Sequence, residues 1–199
     1  MKTDYSILNK EKFEKSVRSY LAYLVYNGLT DLVIHNKGLP TGSIELMQSS
    51  WKEFSLNELF IPKRGTRLTK EDRISGDIPL VTAGEGNLGV KELISNEDQE
   101  RFTNKITIDM FCNSYTHEDE FCCDDNIIAL ESKEEISKFS KLFINTVIEL
   151  DKCRYQYGRQ YRMKNFKNHT IRLPQKNDGT PDWEFMAKFI KQLPYSDRI

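Results

Sequence analysis

Very little charge is left over in this chain: 29 lysines and arginines stand against 30 aspartates and glutamates, a formal net charge of -1 over 199 residues. That balance excludes a generally basic nucleic-acid coat and an acidic tail, so affinity for a charged partner has to come from where the charges are gathered. Long hydrophobic runs are also missing. No apolar stretch approaches the ~20 residues that span a bilayer, and the opening MKTDYSILNKEKFEK lacks a signal-peptide core, so the expected location is the cytoplasm, with no membrane partner. Cysteine is scarce. Cys112, Cys122, Cys123 and Cys153 form no regular disulfide framework, which suits a reducing compartment. Three of them make a C-x4-H-x4-C-C pattern with His117, without the paired C-x2-C knuckles of structural zinc sites, and read as buried small side chains with no metal.

The rest of the composition, 38% hydrophobic, 11% aromatic and 30% charged, describes a globular protein with one domain and additions, or two small domains. The gathered charge lies in DKCRYQYGRQYRMKNFKNHTIRLP, residues 151–174. Lys152, Arg154, Arg159, Arg162, Lys164, Lys167 and Arg172 face only Asp151, and Tyr155, Tyr157, Tyr161 and Phe166 are interleaved. Cations neutralise phosphates, arginine forks onto a guanine edge, and flat rings contact sugar or base, so nucleic acid meets all these demands together. A half-exposed sheet edge guarded by lysines is the plainer reading of the same residues. A second cluster, Lys63, Arg64, Arg67, Lys70 and Arg73, surrounds Gly65, whose missing side chain lets the backbone approach a partner.

Along the chain, Phe13, Val17, Tyr20, Leu21, Leu24 and Val25 predict a helix from Asn9 to Gly28. A shorter element at 31–35 and a Gly/Pro-bearing connector at 37–50 follow, placing a boundary near residue 50. WKEFSLNELF reads as a strand entering a single helical turn, and Ile78–Val81, 105–111 and Ile127–Leu130 read as strands. Residues 134–150 predict a buried helix. A last helix is expected to start with Thr180 as cap and Pro181 at its first position, and to stop at Pro194.

Two motifs point to other chemistry. Gly84, Gly86 and Gly89 satisfy G-x-G-x-x-G, but the long helix that a dinucleotide site requires does not follow them. Asp109 with Glu131-Ser132-Lys133 imitates the carboxylates and lysine of a magnesium-dependent endonuclease. Lys133 to Glu135, however, reads as the exposed start of a helix and not as a strand end.

Trp51-Lys52-Glu53-Phe54-Ser55-Leu56, Ile78-Pro79-Leu80-Val81, Ile106-Thr107-Ile108, Asp125-Asn126-Ile127-Ile128, Tyr157-Gly158-Arg159 and Ile171-Arg172-Leu173-Pro174 succeed one another. In that order they resemble the blocks of the target recognition domain of type I restriction-modification DNA specificity subunits and their type IIB-like relatives. The resemblance covers roughly residues 51–199. It implies an α+β fold with a mixed, largely antiparallel sheet, the recognition domain at 51–175 and a helix at 176–199 for packing or partner docking; residues 1–50, read above as an N-terminal helical segment and connector, match no block of the family. It also implies sequence-specific recognition of double-stranded DNA, with no catalysis and no cofactor in this chain. S-adenosylmethionine, magnesium and, in the type I case, ATP would belong to the methyltransferase (modification) and restriction partners. Members often carry two recognition domains where this chain has room for one, so the expectation is a half-subunit that forms a homodimer, a partner of a second half-subunit, or a subunit reading a single half-site.

From the residues themselves, Lys63, Arg64, Arg67, Arg159, Arg162 and Lys164 would straddle the duplex. Asn113, Tyr115, Tyr155, Tyr157 and Tyr161 would add hydrogen bonds or ring contacts. The competing classes are the magnesium-dependent nuclease and a non-catalytic scaffold in which both basic clusters are merely solvated.

Overall fold

The computed structural model describes Arg18, residues 49–193 and Ser196. The expected helix from Asn9 to Gly28 (Arg18 apart), the element at 31–35, nearly all of the connector and most of the tail beyond Leu193 lie outside the described residues. The chain divides into two compact units that interleave in sequence. One draws on residues 1–54, 136–150 and 171–199, the other on 55–135 and 151–170.

In the first unit, β1 (Trp51–Ser55) pairs with β9 (Thr170–Pro174). The buried helix starts later than its apolar pattern suggests. It is α2 (Lys138–Glu149), because the Ser137 side chain accepts the Ser140 N–H at 3.2 Å and fixes the start there. Residues 140–148 are buried on every side, Lys141 and Asn145 included, where the sequence suggests a stripe. The last helix, α4 (Trp183–Gln192), is capped by Asp182, which accepts from Phe185 N–H at 2.9 Å. Thr180 is not its cap: its N–H and hydroxyl both donate to Asp178, inside a turn where Gly179 has φ +82°. Phe189 of α4 meets Phe143 of α2 edge-on at 6.1 Å, and the Ser140 hydroxyl donates to the Trp183 carbonyl at 2.8 Å. The amphipathic face of α4 is thus covered by α2.

In the second unit, α1 (Leu56–Leu59) is the expected single turn, closed by a capping box between Ser55 and Glu58. An antiparallel sheet runs β2 (Phe60–Arg64), β8 (Ile127–Ser132), β5 (Lys105–Asp109) and β6 (Ser114–His117), in that spatial order. A second sheet has β3 (Ser75–Val81) between β4 (Val90–Ile94), antiparallel, and β7 (Cys122–Cys123), parallel. The fold is therefore α+β with a mixed, mostly antiparallel strand set.

Adjacent strand residues point to opposite faces, and here both faces are buried. Leu80 and Cys122 join Leu68 and Ile94 in one cluster, while Val81 and Cys123 join Phe102, Phe121 and Ile127 in another. That explains the adjacent cysteines, which fill two separate apolar spaces. Cys112 is buried as well; Cys153 is exposed.

The glycine motif is a tight turn followed by β4, with Asn87 and Leu88 in left-handed conformation. The nuclease-like trio is dispersed. Glu131 pairs with Lys105 at 3.1 Å, and Asp109 lies four residues further along β5, about 13 Å away at strand spacing. Lys133 Nζ donates to the Asn57 carbonyl at 2.7 Å, just past the end of β8 and well before α2 begins.

Asp109 instead holds the β5–β6 turn. Its Oδ1 accepts N–H groups of Phe111 and Asn113 at 2.8 and 2.9 Å, and its Oδ2 accepts Asn113 Nδ2 at 2.7 Å and Gly84 N–H at 3.0 Å. Burial raises its pKa, and these donors oppose the rise. Asp109→Ala would orphan four donors in a buried turn and is expected to cost at least about 2 kcal/mol in urea unfolding, with Asp109→Asn intermediate.

Candidate nucleic-acid interface

The second unit brings the two basic clusters together. Arg64, at the end of β2, forks onto Asp125: its Nε donates to the Asp125 carbonyl at 2.6 Å and its Nη2 to the carboxylate at 2.8 Å. Next to it, Arg162 Nη1 donates to Asn126 Oδ1 at 3.0 Å, and its other amino group to Gln160. Arg162 immediately precedes α3 (Met163–Phe166). Arg64, Arg162 and Lys164 line one hollow of about 360 Å³ with Asp125 and Asn126. Arg159, Arg162 and Lys164 line another of about 530 Å³ with Tyr157 and Asn165. Arg154, Tyr155 and Lys164 line a third of about 370 Å³. Lys164 is common to all three.

Two acids sit in the middle of this surface. Asp124 is pushed up to about 6, first by burial and then by its hydrogen bond and its repulsion with Asp125. Asp125 is held low by its hydrogen bond with Asp124 and by Arg64, Arg67 and Arg162. The Arg64 side chain is still 52% exposed despite its carboxylate. Arg67, Arg159, Lys164 and Lys167 are exposed and make no ion pair among the described residues. Lys63 faces Glu100, and Arg73 pairs with Glu92.

Three expected contact residues are interior. Asn113 is 1% exposed and serves Asp109. Tyr115 is 7% exposed and donates to the Gly84 carbonyl. Tyr161 is 2% exposed: its N–H bonds the Met110 carbonyl at 2.8 Å, its ring meets Tyr155 edge-on at 5.0 Å, and its hydroxyl lies 3.0 Å from His169 Nδ1. Burial raises its pKa and lowers that of His169, which the nearby Asp151 resists. These three residues hold the turns beneath the surface through their own partners, and Tyr161 also lines the hollow beside Arg64 and Arg162. Gly65 also has a different role, because a Cβ there would collide with the Cys123 and Asp124 carbonyls. The close approach is made by the chain itself. Asp125, Asn126 and Gln160 orient the arginines and were not expected among the site residues. The strand-starting Asp-Asn pair was the only trace of them in the sequence.

The structure defines an α+β domain with a cationic, concave face built around α3 and the end of β2. The chain belongs to the type I restriction modification DNA specificity domain family, whose sequence model matches residues 48–195. Over 152 residues it is 31% identical to the specificity subunit S.BcgI of the type II restriction enzyme BgcI of Heyndrickxia coagulans, covering 74% of this chain and 45% of that protein. Among solved structures it resembles the S subunit of a type I restriction-modification system from M. genitalium, with TM-score 0.57 and 16% identity over 94% of this chain and 54% of that one. It also resembles the HsdS subunit from Thermoanaerobacter tengcongensis, with TM-score 0.55 and 13% identity over 96% of this chain and 46% of that one. The chain spans about half the length of these relatives. Among the described residues no helix is long and apolar enough to cross a membrane.

Because the folded-state pKa of Asp124 lies above its ordinary 3.8, the protonated form favours the fold. That stability is complete below about pH 4 and is lost as pH rises through about 6. The urea midpoint should fall between pH 4.5 and 7, and Asp124→Asn should flatten that fall. Gly65→Ala should destabilise by about 1–3 kcal/mol through overpacking against backbone, read as a lowered melting temperature.

Proposed function

We propose that this chain reads a specific double-stranded DNA sequence and delivers it to a methyltransferase or nuclease partner, as the specificity component of a restriction-modification system. The observation that carries this reading is the convergence of Arg64, Arg162 and Lys164, with Arg67 and Arg159 exposed nearby, from segments far apart in sequence. The family membership and the 31% identity to a restriction-enzyme specificity subunit support it. Phosphate contacts by these cations would set register, and an arginine reaching a guanine edge would supply sequence information.

In this reading the chain is non-catalytic and acts in the cytoplasm. S-adenosylmethionine and magnesium are used by the partner subunits. This recognition unit would read one part of a site, and a second copy or another half-subunit is a fitting partner for the rest. Asp109, Glu131 and Lys133 are each engaged elsewhere and give no support to a nuclease centre.

The test is titration of a random 30-base-pair duplex across 50–300 mM salt. With about six cations on phosphate, log affinity should fall with log salt at a slope of about -5. Lys164→Ala should weaken binding to every sequence and make the slope shallower by about one. Failure to bind at 50 mM salt, alone and with the modification partner added, would leave only a scaffold.

A further inference from the structure

Tyr157 is 80% exposed, the most open of the large hydrophobic side chains left at the surface. It stands at the apex of a two-residue turn: Gln156 N–H donates to the Arg159 carbonyl at 3.2 Å and Arg159 N–H to the Gln156 carbonyl at 2.8 Å. An exposed aromatic ring on a loop is ordinarily free to sample rotamers. This one is braced, because Phe111, on the turn that Asp109 organises, meets it edge-on at 5.0 Å with an interplanar angle of 74°. Bracing lowers the entropy lost when the ring is fixed against a ligand.

Its neighbour adds an independent observation. A Cβ built on Gly158 would meet nothing within 4 Å, and the residue does not adopt a positive φ. Neither packing nor backbone conformation within the unit requires glycine there, so the absent side chain leaves clearance for something outside the chain. What borders that clearance is cationic and polar. Arg159, Arg162 and Lys164 line the adjoining hollow with Gln160 and Asn165. A ring next to phosphate-binding groups, with room for close approach beside it, matches a nucleotide, whose flat base and charged backbone lie a few ångströms apart.

We infer that Tyr157 stacks on a base face at an opened step of the bound duplex, while Gly158 lets the backbone of the turn close on the adjoining sugar-phosphate. The reading rests on the proposed DNA recognition and assigns a single residue to discrimination. Steps that unstack at low cost, pyrimidine–purine above all, would be preferred at that position through their deformability.

The test uses the full chain with a pool of randomised duplexes, from which the tightest-bound sequence is selected. Tyr157→Ala should leave the random-duplex salt slope unchanged, since no cation is removed, but lose about 10- to 100-fold in affinity for the selected sequence, more than it loses on random duplex. Tyr157→Phe, which keeps the ring, should stay within about threefold. 2-Aminopurine walked through the selected sequence should brighten at one position with the wild type and with Tyr157→Phe, and at none with Tyr157→Ala. Equal affinity of wild type and Tyr157→Ala for the selected sequence would overturn the inference and leave DNA recognition standing, as would equal losses in Tyr157→Phe and Tyr157→Ala. A wild-type chain that binds no duplex would remove both.

Discussion

One close backbone crossing holds the second unit in working order. Gly65 lies under the strap that runs from β7 into β8, its N–H bonded to the Ile127 carbonyl at 3.0 Å, while Thr66 N–H bonds the Cys123 carbonyl at 3.0 Å. The strap is tied on its other side by Asp124 N–H to the Val81 carbonyl, also at 3.0 Å. One five-residue stretch therefore fixes the ends of β2 and β3 and the start of β8. The accepting residues Val81, Cys123 and Ile127 are buried, where an unpaired polar group would cost about 1–3 kcal/mol, so the crossing is strongly determined. Its consequence is placement. Arg64 leaves β2 beside the strap, and Asp125 on the strap receives it.

The charge arrangement follows from that placement and explains how a nearly neutral chain presents a cationic face. Asp125 organises the arginines without neutralising them. A half-exposed pair such as Arg64–Asp125 is worth about 0–1 kcal/mol, too little to resist a phosphate that offers the same fork and carries further cations with it. The internal carboxylate thus holds the guanidinium in a usable orientation at low cost. It also sets a threshold, because an anion that displaces it has to engage several groups at once. A lone surface anion does not; a duplex backbone does. Lys63 and Arg73 show the alternative outcome, with Glu100 and Glu92 as their partners and no share in the hollows around α3.

What was readable in the sequence was set by what kind of physics each residue answers to. Local rules performed well: the single helical turn after the strand at 51–55, the strand within 105–111 and the buried helix before residue 150 all follow from period and propensity. Caps were harder, since Thr180 and Asp182 are both good cap residues and only the Asp178 contact decides between them. Asn113, Tyr115 and Tyr161 read as surface residues on polarity alone, and the structure places them inside. A buried asparagine or tyrosine is stable when its polar atoms are satisfied, and the partners here are Asp109, the Gly84 carbonyl and His169. Only the last two tyrosine contacts are far from obvious in sequence; Asp109 and Asn113 lie four residues apart, a spacing that a tight turn makes local. The two basic clusters were visible as composition. Their meeting at Asp125 was not, because it depends on β2 and β8 being neighbours.

The contrast between Tyr157 and Tyr161 carries the reasoning one step further. Both lie in the same basic segment four residues apart, and one is sealed in the interior while the other stands almost fully in solvent. Tyr161 anchors the segment through its N–H, its ring and its hydroxyl, so the exposed side chains of the neighbouring turn are not needed to bury it. Changes at exposed positions of that kind alter stability by only about 0.5 kcal/mol. The turn at 156–159 and the outward side of α3 can therefore vary with little penalty to the fold. A fold shared at 13–16% identity fits that division of labour: the interior pattern is enough to specify the scaffold, and the exposed positions carry little of it.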